Sequence, residues 1–261
     1  MYNVFLSGGG LKGAYQYGFF KELYKQWPDI PIKKVYAVSV GAMNSAPIVT
    51  RRMNALDQFW NNPDVHPFDT IVHDWQENKT LSNRAMAYFT HGSVFKGIKR
   101  EPYEAFLDDL DQEEWRMIRE KLVIISFDKI GKKTIMMPCA SVDWFNPTKP
   151  IIDAIESSSL YPGLFNAHEA IRIDGIFANV EQLALNHPDE KWLCLDLQNV
   201  MQGYFKENKE AVIYNPDISQ VPILRDVAAL FSNRYVINHL ILNGKEHAHD
   251  FVNNIHHGLV L

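Results

Sequence analysis

The sequence has few cysteines and no long apolar run, and both absences limit what the chain can be. Only Cys139 and Cys194 occur among its 261 residues, which favours two free thiols in a reducing compartment over a disulfide-stapled scaffold. No apolar run approaches the ~20 residues that a transmembrane helix requires. The first residues show no basic segment followed by an apolar core, so no signal peptide is expected. We therefore predict a cytoplasmic protein that touches membranes, if at all, only at their surface.

The chain also lacks an excess of positive charge. Its 26 Lys and Arg residues against 31 Asp and Glu residues give a formal net charge of −5, so no general field draws the protein to nucleic acid. A hydrophobic content of 46% with 22% charged residues is ordinary for a globular chain and excludes disorder as the main state. The length suits one large domain, which we predict to span residues 1–261.

The apolar patterns predict an α/β fold. Strands are expected at 3–7, 33–38, 122–127, 132–137, 171–173 and 192–195, and helices at 12–27, 41–60, 80–89, 101–120, 150–157, 180–187 and 221–243. Strands that alternate with helices form a mainly parallel sheet with helices on both faces. We therefore predict a three-layer sandwich.

Three segments carry more specific expectations. Pro47 is expected to limit the first helix of 41–60, because proline cannot donate a helical hydrogen bond. The weakly patterned segment 61–100 is expected to form a lid or cap. The segment 221–261 is expected to be a helical C-terminal extension.

The most informative segment is the glycine-rich sequence GGGLKG at residues 8–13, between a strand and a helix. Glycines permit positive φ and close approach to a ligand, and N–H groups at a helix start bind negative charge. The spacing also fits a dinucleotide loop, but no acidic residue follows the second strand to bind a ribose. Gly13 is followed by Ala14 rather than Lys, which excludes a P-loop. An oxyanion-binding loop is favoured over a purely structural turn.

A serine follows the second strand in a sequence typical of a nucleophile. The pentapeptide AVSVG at residues 37–41 nearly matches G-x-S-x-G, with Ala37 in place of the first glycine. In such an elbow the residues two before and two after the serine must be small, because strand and helix crowd there. Ala37 and Gly41 meet this requirement, so Ser39 is the candidate nucleophile.

A nucleophilic serine needs a base, and the sequence offers two kinds. His187 and His239 are candidates for a Ser–His pair, but in α/β-hydrolases several strands precede the elbow, and here only one does. Asp174 follows the short apolar strand 171–173 and precedes Gly175. A carboxylate there would take the proton from a nearby serine, although Asp-Gly turns are also common structural features.

Together these segments resemble the patatin-like phospholipase family. Residues 8–13 match its G-G-G-x-[R/K]-G loop, Ser39 and Gly41 match its elbow, and Asp174-Gly175 match part of its D-G-[G/A] motif. The segment 154–165 (AIESSSLYPGLF) resembles the stretch of small residues and proline that precedes the family's aspartate. The resemblance spans roughly residues 3–187, with the motifs in the family's order.

The resemblance implies a serine lipid acyl hydrolase that needs no metal or cofactor. Ser39 would be the nucleophile and Asp174 the general base, and the substrate would be a glycerolipid ester at a membrane or micelle surface. The implied oxyanion hole consists of backbone groups of Gly8, Gly9, Gly10, Leu11 and Gly13. Ala37, Ile176 and Ser7 differ from the family pattern, so the alternative is a catalytically inactive, lipid-binding or scaffold member.

Three other features admit lipid or metal contact as well as plainer interpretations. Trp144 and Phe145 would reach a lipid surface if they are exposed in their loop. Lys96, Lys99 and Arg100 form a small basic cluster that would suit anionic headgroups or merely face solvent. The histidines between 247 and 257 have no accompanying ligand pattern, so a solvated tail is expected rather than a metal site.

Overall fold

A computed structural model describes residues 1–61, 68–70, 95–98, 100–142, 146–160, 170–199, 201–205, 208, 210–217 and 234–256. Its strands are β1 (Tyr2–Leu6), β2 (Ile32–Val38), β3 (Phe68–Thr70), β4 (Phe95–Ile98), β5 (Leu122–Asp128), β6 (Lys133–Pro138), β7 (Arg172–Ile173), β8 (Lys191–Leu195) and β9 (Ala211–Tyr214). Its helices are α1 (Gly13–Gln26), α2 (Val40–Thr50), α3 (Met53–Asn61), α4 (Glu101–Asp108), α5 (Gln112–Lys121), α6 (Thr148–Ser159), α7 (Glu181–Asn186), α8 (Met201–Tyr204) and α9 (Arg234–His256).

The central sheet is mainly parallel, as the alternating pattern predicts. Its order is β6-β5-β2-β1-β8-β9, and β7 pairs with the end of β5. Neighbouring strands from β5 through β9 run parallel, whereas β6 and β7 pair with β5 in the antiparallel sense. In the described part of the chain, β3 and β4 form a separate antiparallel pair. The carboxyl ends of β1 and β2 therefore meet at one edge, where ligand sites of parallel sheets usually lie.

Both faces of the sheet are covered, which confirms the three-layer arrangement. Side chains of alternate strand residues point to opposite faces, so Val4 and Leu6 join one core cluster and Phe5 the other. The first cluster is built with the long helices α1, α2, α6 and α9. The second is thinner and includes residues of α7 and α8 around the buried Trp192. Cys139 and Cys194 are both buried free thiols, as expected.

Two local expectations are corrected by the structure. Pro47 lies inside α2 rather than ending it, and the helix continues to Thr50 before Arg51 adopts a left-handed conformation. The missing proline N–H removes only one helical bond from a fully buried helix, and burial outweighs that cost. The predicted helix at 80–89 lies outside the described residues.

His247 and His249 lie on a packed helix rather than in a solvated tail. Helix α9 continues through them and packs closely on α1: a Cβ added to Gly18 would lie 2.2 Å from the Ile241 carbonyl oxygen. His247 is half-buried and shares a 2.7 Å hydrogen bond with the Tyr15 hydroxyl. The aromatic surface of α1 thus supplies a partner that the sequence pattern did not reveal. The division of the chain into one domain with a lid at 61–100 stays a prediction.

Candidate active site

Ser39 lies at the sharp turn between β2 and α2 in a backbone conformation that few non-glycine residues adopt. Its φ is 54° and its ψ is −124°, a strained region that persists only where surrounding structure enforces it. Close packing at Gly41 is part of the structure that holds this conformation, because a Cβ there would lie 2.2 Å from the Leu6 carbonyl oxygen. Helix α2 therefore crosses the end of β1 at a distance that only glycine allows, and the serine is presented at the carboxyl edge of the sheet.

The structure brings Ser39 and Asp174 together, although 135 positions separate them in the chain. The Ser39 hydroxyl donates to Asp174 Oδ2 at 2.7 Å. The other carboxylate oxygen, Oδ1, accepts the Ile176 N–H at 2.8 Å, and the Asp174 N–H donates to the Leu160 carbonyl at 3.0 Å. Asp174 is thus fixed at its backbone and at one oxygen, with the second oxygen directed at the serine.

Burial gives Asp174 the proton affinity of a general base. The carboxyl is almost completely buried, and this loss of solvation raises its pKa from 3.8 to about 7, although the hydrogen bonds from Ser39 and Ile176 act in the opposite direction. A base is most effective when its pKa lies near the working pH. Near neutral pH this carboxylate can therefore accept a proton from the hydroxyl that it contacts.

The glycine loop lies directly beside the serine. A Cβ added to Gly8 would sit 2.8 Å from the Ser39 Cβ and 3.5 Å from its Oγ. Gly10 has a φ of 57°, which an L side chain would strain. At Gly13 an added Cβ would lie 2.4 Å from the Val40 side chain. The glycines are thus required by the close contact between this loop and the elbow.

The loop presents unpaired N–H donors on this side of the sheet. Among the described residues, the N–H groups of Gly8 and Gly9 have no hydrogen-bond acceptor. Gly10 and Leu11 open a short 3-10 turn that runs into α1, and the first N–H groups of a helix have no acceptor within it. These donors, at the positive end of α1, form a suitable environment for an oxyanion. Leu11 itself points into the core and contributes only its backbone.

A buried polar network holds the glycine loop in place. Gln16 on α1 donates to the Ser7 carbonyl at 2.9 Å, and Asn44 on α2 donates to the Gly13 carbonyl at 3.0 Å. Asn44 also donates to Gln16 at 3.1 Å and accepts the Trp60 indole N–H at 3.1 Å. Each of these amides is fully buried. The network ties both ends of the loop to the helix that follows the serine.

Two further serines at the end of α6, Ser158 and Ser159, contact the backbone of Ser39. Ser158 accepts the Ser39 N–H at 2.9 Å and donates its own proton to the Ile125 carbonyl of β5. Ser159 lies 3.3 Å from the Ser39 carbonyl oxygen. Gly175 packs on the same Ile125 carbonyl, since a Cβ there would be 2.3 Å away. Ser39 and the turn that carries Asp174 therefore share one anchoring point on β5.

Replacing Ser158 with alanine is expected to lower kcat by about 10–100-fold with little change in KM. The change removes the acceptor of the Ser39 N–H and a donor to the Ile125 carbonyl, and a displacement of Ser39 by ~1 Å costs up to about 10²-fold in rate. Steady-state kinetics of ester hydrolysis checks this.

Ser157→Ala provides the matched control, because among the described residues the partner of the Ser157 hydroxyl is the Asp153 carbonyl in its own helix, at 2.7 Å. This variant should keep the wild-type kcat. A Ser158→Ala enzyme as fast as the Ser157→Ala enzyme would contradict the positioning role.

Two of the three departures from the family pattern, Ala37 and Ile176, do not disturb this geometry. Ala37 is fully buried and pairs in register with Leu6 and Ile124. Ile176 has a partly exposed side chain, and its N–H binds Asp174. The bulk of isoleucine therefore does not move the Asp174 turn away from the serine.

The alternative histidine bases lie elsewhere. His187 contacts Glu190 at 3.2 Å, before the amino-terminal end of β8 and so at the opposite edge of the sheet from Ser39. His239 lies on α9 and contacts the Asp217 carbonyl at 3.2 Å. In the described ranges, the hydrogen-bond partner of the Ser39 hydroxyl is a carboxylate.

The structure describes only some of the residues for which the sequence admitted lipid or metal contact. Trp144, Phe145 and Lys99 lie outside the described residues, as does the Lys96 side chain. Arg100 forms ion pairs with Asp153 and Glu156. Over the described ranges, no three His, Cys, Asp or Glu side chains group as metal ligands. In the same ranges, none of the helices combines the length and apolar character needed to span a membrane.

Comparison with known families and structures adds an independent result. A family profile described as "Patatin-like phospholipase" matches residues 4–182, which contain the glycine loop, Ser39 and Asp174. A comparison with curated proteins found no match.

Solved structures of two bacterial proteins are similar to this chain at low identity. ExoU from the type III secretion system of Pseudomonas aeruginosa, in its heterodimeric complex with SpcU, is 12% identical with a TM-score of 0.44 over 97% of this chain and 51% of that chain. A second ExoU–SpcU structure gives 12% identity, a TM-score of 0.49, and coverage of 97% and 52%. VipD from Legionella pneumophila is 13% identical with a TM-score of 0.48 over 97% of this chain and 67% of that chain. The chain thus spans about half the length of the ExoU structures.

Proposed function

The chain belongs to the patatin-like phospholipase family, and we propose that it is a serine lipid acyl hydrolase that cleaves carboxylic esters of glycerolipids. The observation that carries the proposal is the 2.7 Å hydrogen bond from the Ser39 hydroxyl to a buried carboxylate of Asp174, beside a glycine loop with unpaired N–H groups. This arrangement supplies a nucleophile, a base and an oxyanion environment without a metal or cofactor. The proposed substrate class, glycerolipid esters, is inferred from membership of this family.

In the first half of the proposed reaction, Asp174 accepts the Ser39 proton as Oγ bonds to the acyl carbon of the ester. The carbonyl oxygen becomes an oxyanion, which the N–H groups of Gly8, Gly9, Gly10 and Leu11 stabilise. The carbon–oxygen bond to the glycerolipid alcohol then breaks, and the alcohol leaves with the proton held by Asp174. Oxyanion donors of this kind are typically worth ~10²–10³ in rate each.

In the second half, water hydrolyses the acyl-enzyme. Asp174, again deprotonated, accepts a proton from the water that attacks the acyl carbon, and the same loop holds the second oxyanion. Ser39 then leaves and recovers its proton from Asp174. The single carboxylate thus serves in turn as base and acid in both halves.

The competing proposal is an inactive family member that only binds lipid. The geometry favours the enzyme, because a scaffold has no need for a strained serine or for an aspartate whose pKa is raised to about 7. Strain and perturbed pKa values concentrate at functional sites. We also propose that the protein works in the cytoplasm and meets its substrate at a membrane or micelle surface.

A panel of lipid substrates tests the function. Wild-type protein is incubated with vesicles or micelles of diacylphospholipids, lysophospholipids and neutral glycerides, and fatty-acid release is measured. We expect release from at least one acyl-ester lipid, and the pattern identifies the headgroup and acyl position. If the protein released fatty acid from none of the lipids and did not cleave a soluble short-chain ester, the result would contradict the proposed enzyme and favour the lipid-binding member.

Activity is expected to rise with pH through about 7. The base must be ionised to accept the Ser39 proton, and burial places the Asp174 pKa at about 7. Below that value kcat/KM should fall about tenfold per pH unit. The profile is measured from pH 5 to 9 with a soluble short-chain ester, so that changes in a lipid surface do not contribute. A flat profile above pH 5 would contradict this expectation. It would show that the base is a carboxylate of ordinary pKa, or that the reaction uses no carboxylate base.

A further inference from the structure

Two large apolar side chains stand exposed beside the Asp174 turn. Ile130, at the tip of the β5–β6 hairpin, is 74% exposed, and Ile171, just before β7, is 60% exposed. The Lys129 N–H donates to the Ile171 carbonyl at 2.9 Å, so the two isoleucines lie on adjoining segments. Single exposed isoleucines are unremarkable on a protein surface. Two on adjoining segments at the edge of a site need a further explanation.

Basic side chains surround these isoleucines. The exposed residues Lys129, Lys132, Lys133 and Arg172 occupy the same hairpin and the strand beside it. The carboxylate within the hairpin, Asp128, accepts the N–H groups of Ile130 and Gly131 with one oxygen. The chain as a whole has a net charge of −5, so a local cluster of four cations departs from its general character.

The cluster projects from the same edge of the sheet as the Ser39 hydroxyl. Val38 pairs with Ile125, which places Ser39 level with Ser126. Strand β5 then continues through Asp128, about 7 Å further at 3.3–3.4 Å per residue, before the turn begins. The hairpin tip therefore extends past the level of the nucleophile and would meet a flat surface before the serine does.

We propose that Lys129, Ile130, Lys132, Lys133, Ile171 and Arg172 form a docking surface for an anionic lipid bilayer. The surface combines cations with protruding aliphatic side chains, as peripheral proteins do where they enter the headgroup region. The inference rests on the proposed function, because it places the proposed hydrolase site against its lipid. It adds the surface that makes the contact and the sign of the lipid charge.

Charge complementarity selects an anionic lipid over a neutral one. Each lysine or arginine near an anionic leaflet contributes to binding only within about a Debye length, ~8 Å at physiological salt. The overall negative charge would otherwise repel such a leaflet. Binding should therefore depend on this hairpin, require acidic lipid and weaken as salt is raised.

Vesicle partitioning of a double variant tests the proposal. Full-length wild type and Ile130→Asp/Lys132→Glu are mixed with vesicles of phosphatidylcholine containing 30% phosphatidylserine, or of phosphatidylcholine alone, and the bound fraction is measured by flotation. We expect wild type to bind the acidic vesicles preferentially and the double variant to bind them at least about tenfold more weakly. Equal partitioning of variant and wild type would overturn the docking surface, as would equal binding to both vesicle types.

A matched variant carries the same chemical changes at the opposite edge. Lys25 lies in the last turn of α1 and Leu185 lies on α7, and both elements lead into the amino-terminal ends of strands. Leu185 is 59% exposed, against 74% for Ile130 and 60% for Ile171. Lys25→Glu/Leu185→Asp should bind acidic vesicles as wild type does, and an equal loss of binding in this control would also overturn the assignment.

Hydrolysis of a soluble short-chain ester by all three proteins separates this inference from the proposed function. Both double variants should keep the wild-type rate, because none of the changed residues touches the reacting atoms. If wild type cleaves the ester and the hairpin variant still binds vesicles normally, the docking surface is contradicted while the proposed hydrolysis stands. If no protein cleaves the ester but the hairpin variant loses vesicle binding, the surface stands and the proposed hydrolysis fails.

Discussion

Replacing Ser39 with alanine is expected to lower ester hydrolysis by roughly 10³-fold or more while the fold stays intact. The variant removes the nucleophile, and without it only the binding and oxyanion contributions remain. The folded state should tolerate the change, because the hydroxyl binds Asp174 and does not cap α2. Fatty-acid release is measured with the best lipid of the substrate panel, and circular dichroism checks the fold.

Ser45→Ala is the matched control for this change. Ser45 is a fully buried serine on α2, the helix that follows Ser39, and its hydroxyl donates to the Ala42 carbonyl at 2.7 Å. The control removes the same kind of atom, a serine hydroxyl oxygen, and should leave the rate near the wild-type value. Comparable activity in the Ser39→Ala and Ser45→Ala proteins would mean that Ser39 is not the nucleophile.

Replacing Asp174 with asparagine is expected to reduce hydrolysis by a similarly large factor, for a different reason. The amide is nearly the same size and its oxygen can still accept the Ile176 N–H, but it cannot take the Ser39 proton. The serine would then have to attack without a base, since the described hydrogen bond of its hydroxyl goes to this carboxylate. Steady-state kinetics should show the loss in kcat, and raising the pH should not restore it.

The same variant should be more stable than wild type at alkaline pH. The folded Asp174 has a pKa of about 7 against 3.8 for the ordinary group. Between these values the folded state retains a proton that the unfolded state has released, so stability falls as the pH rises. At about 1.4 kcal/mol per pKa unit, the penalty reaches at most a few kcal/mol above pH 7. Urea unfolding at pH 5 and pH 8 should show an Asp174→Asn advantage that grows with pH.

Asp128→Asn serves as the control for the loss of hydrolysis. Asp128 is also a turn aspartate that accepts the N–H two residues later, but it is half-exposed and lies in the hairpin. Its variant should keep hydrolysis. Activity in Asp174→Asn equal to that of Asp128→Asn would remove Asp174 from the mechanism.

The sequence predicted the parts of the site that depend on local chemistry. The strand–turn–helix character of residues 3–27 and 33–60 follows from apolar spacing and glycine positions, and the structure has these elements within a few residues. The elbow serine and the Asp-Gly turn were recognised because each follows a short apolar strand. The order and spacing of the motifs also sufficed to identify the family.

The contacts that assemble the site depend on tertiary packing and were not predictable. Nothing in the stretch of small residues at 154–160 shows that Ser158 would bind the Ser39 backbone, since its partner comes from another element. In the sequence, Gln16 and Asn44 are ordinary polar positions on helices. Only the structure shows that both side chains are buried and hydrogen-bond the two ends of the glycine loop. Similarly, His247 of α9 appeared polar in sequence, because Tyr15 of α1, which hydrogen-bonds it, is 232 positions away.

The most direct measurement of the central claim is covalent labelling of Ser39. The protein is treated with a fluorophosphonate that reacts with activated serines, and the modified peptide is identified by mass spectrometry. We predict one label on Ser39, no label in Ser39→Ala, and strongly slowed labelling in Asp174→Asn. An unlabelled wild-type protein, or a label that persists at another serine in Ser39→Ala, would contradict the proposed mechanism.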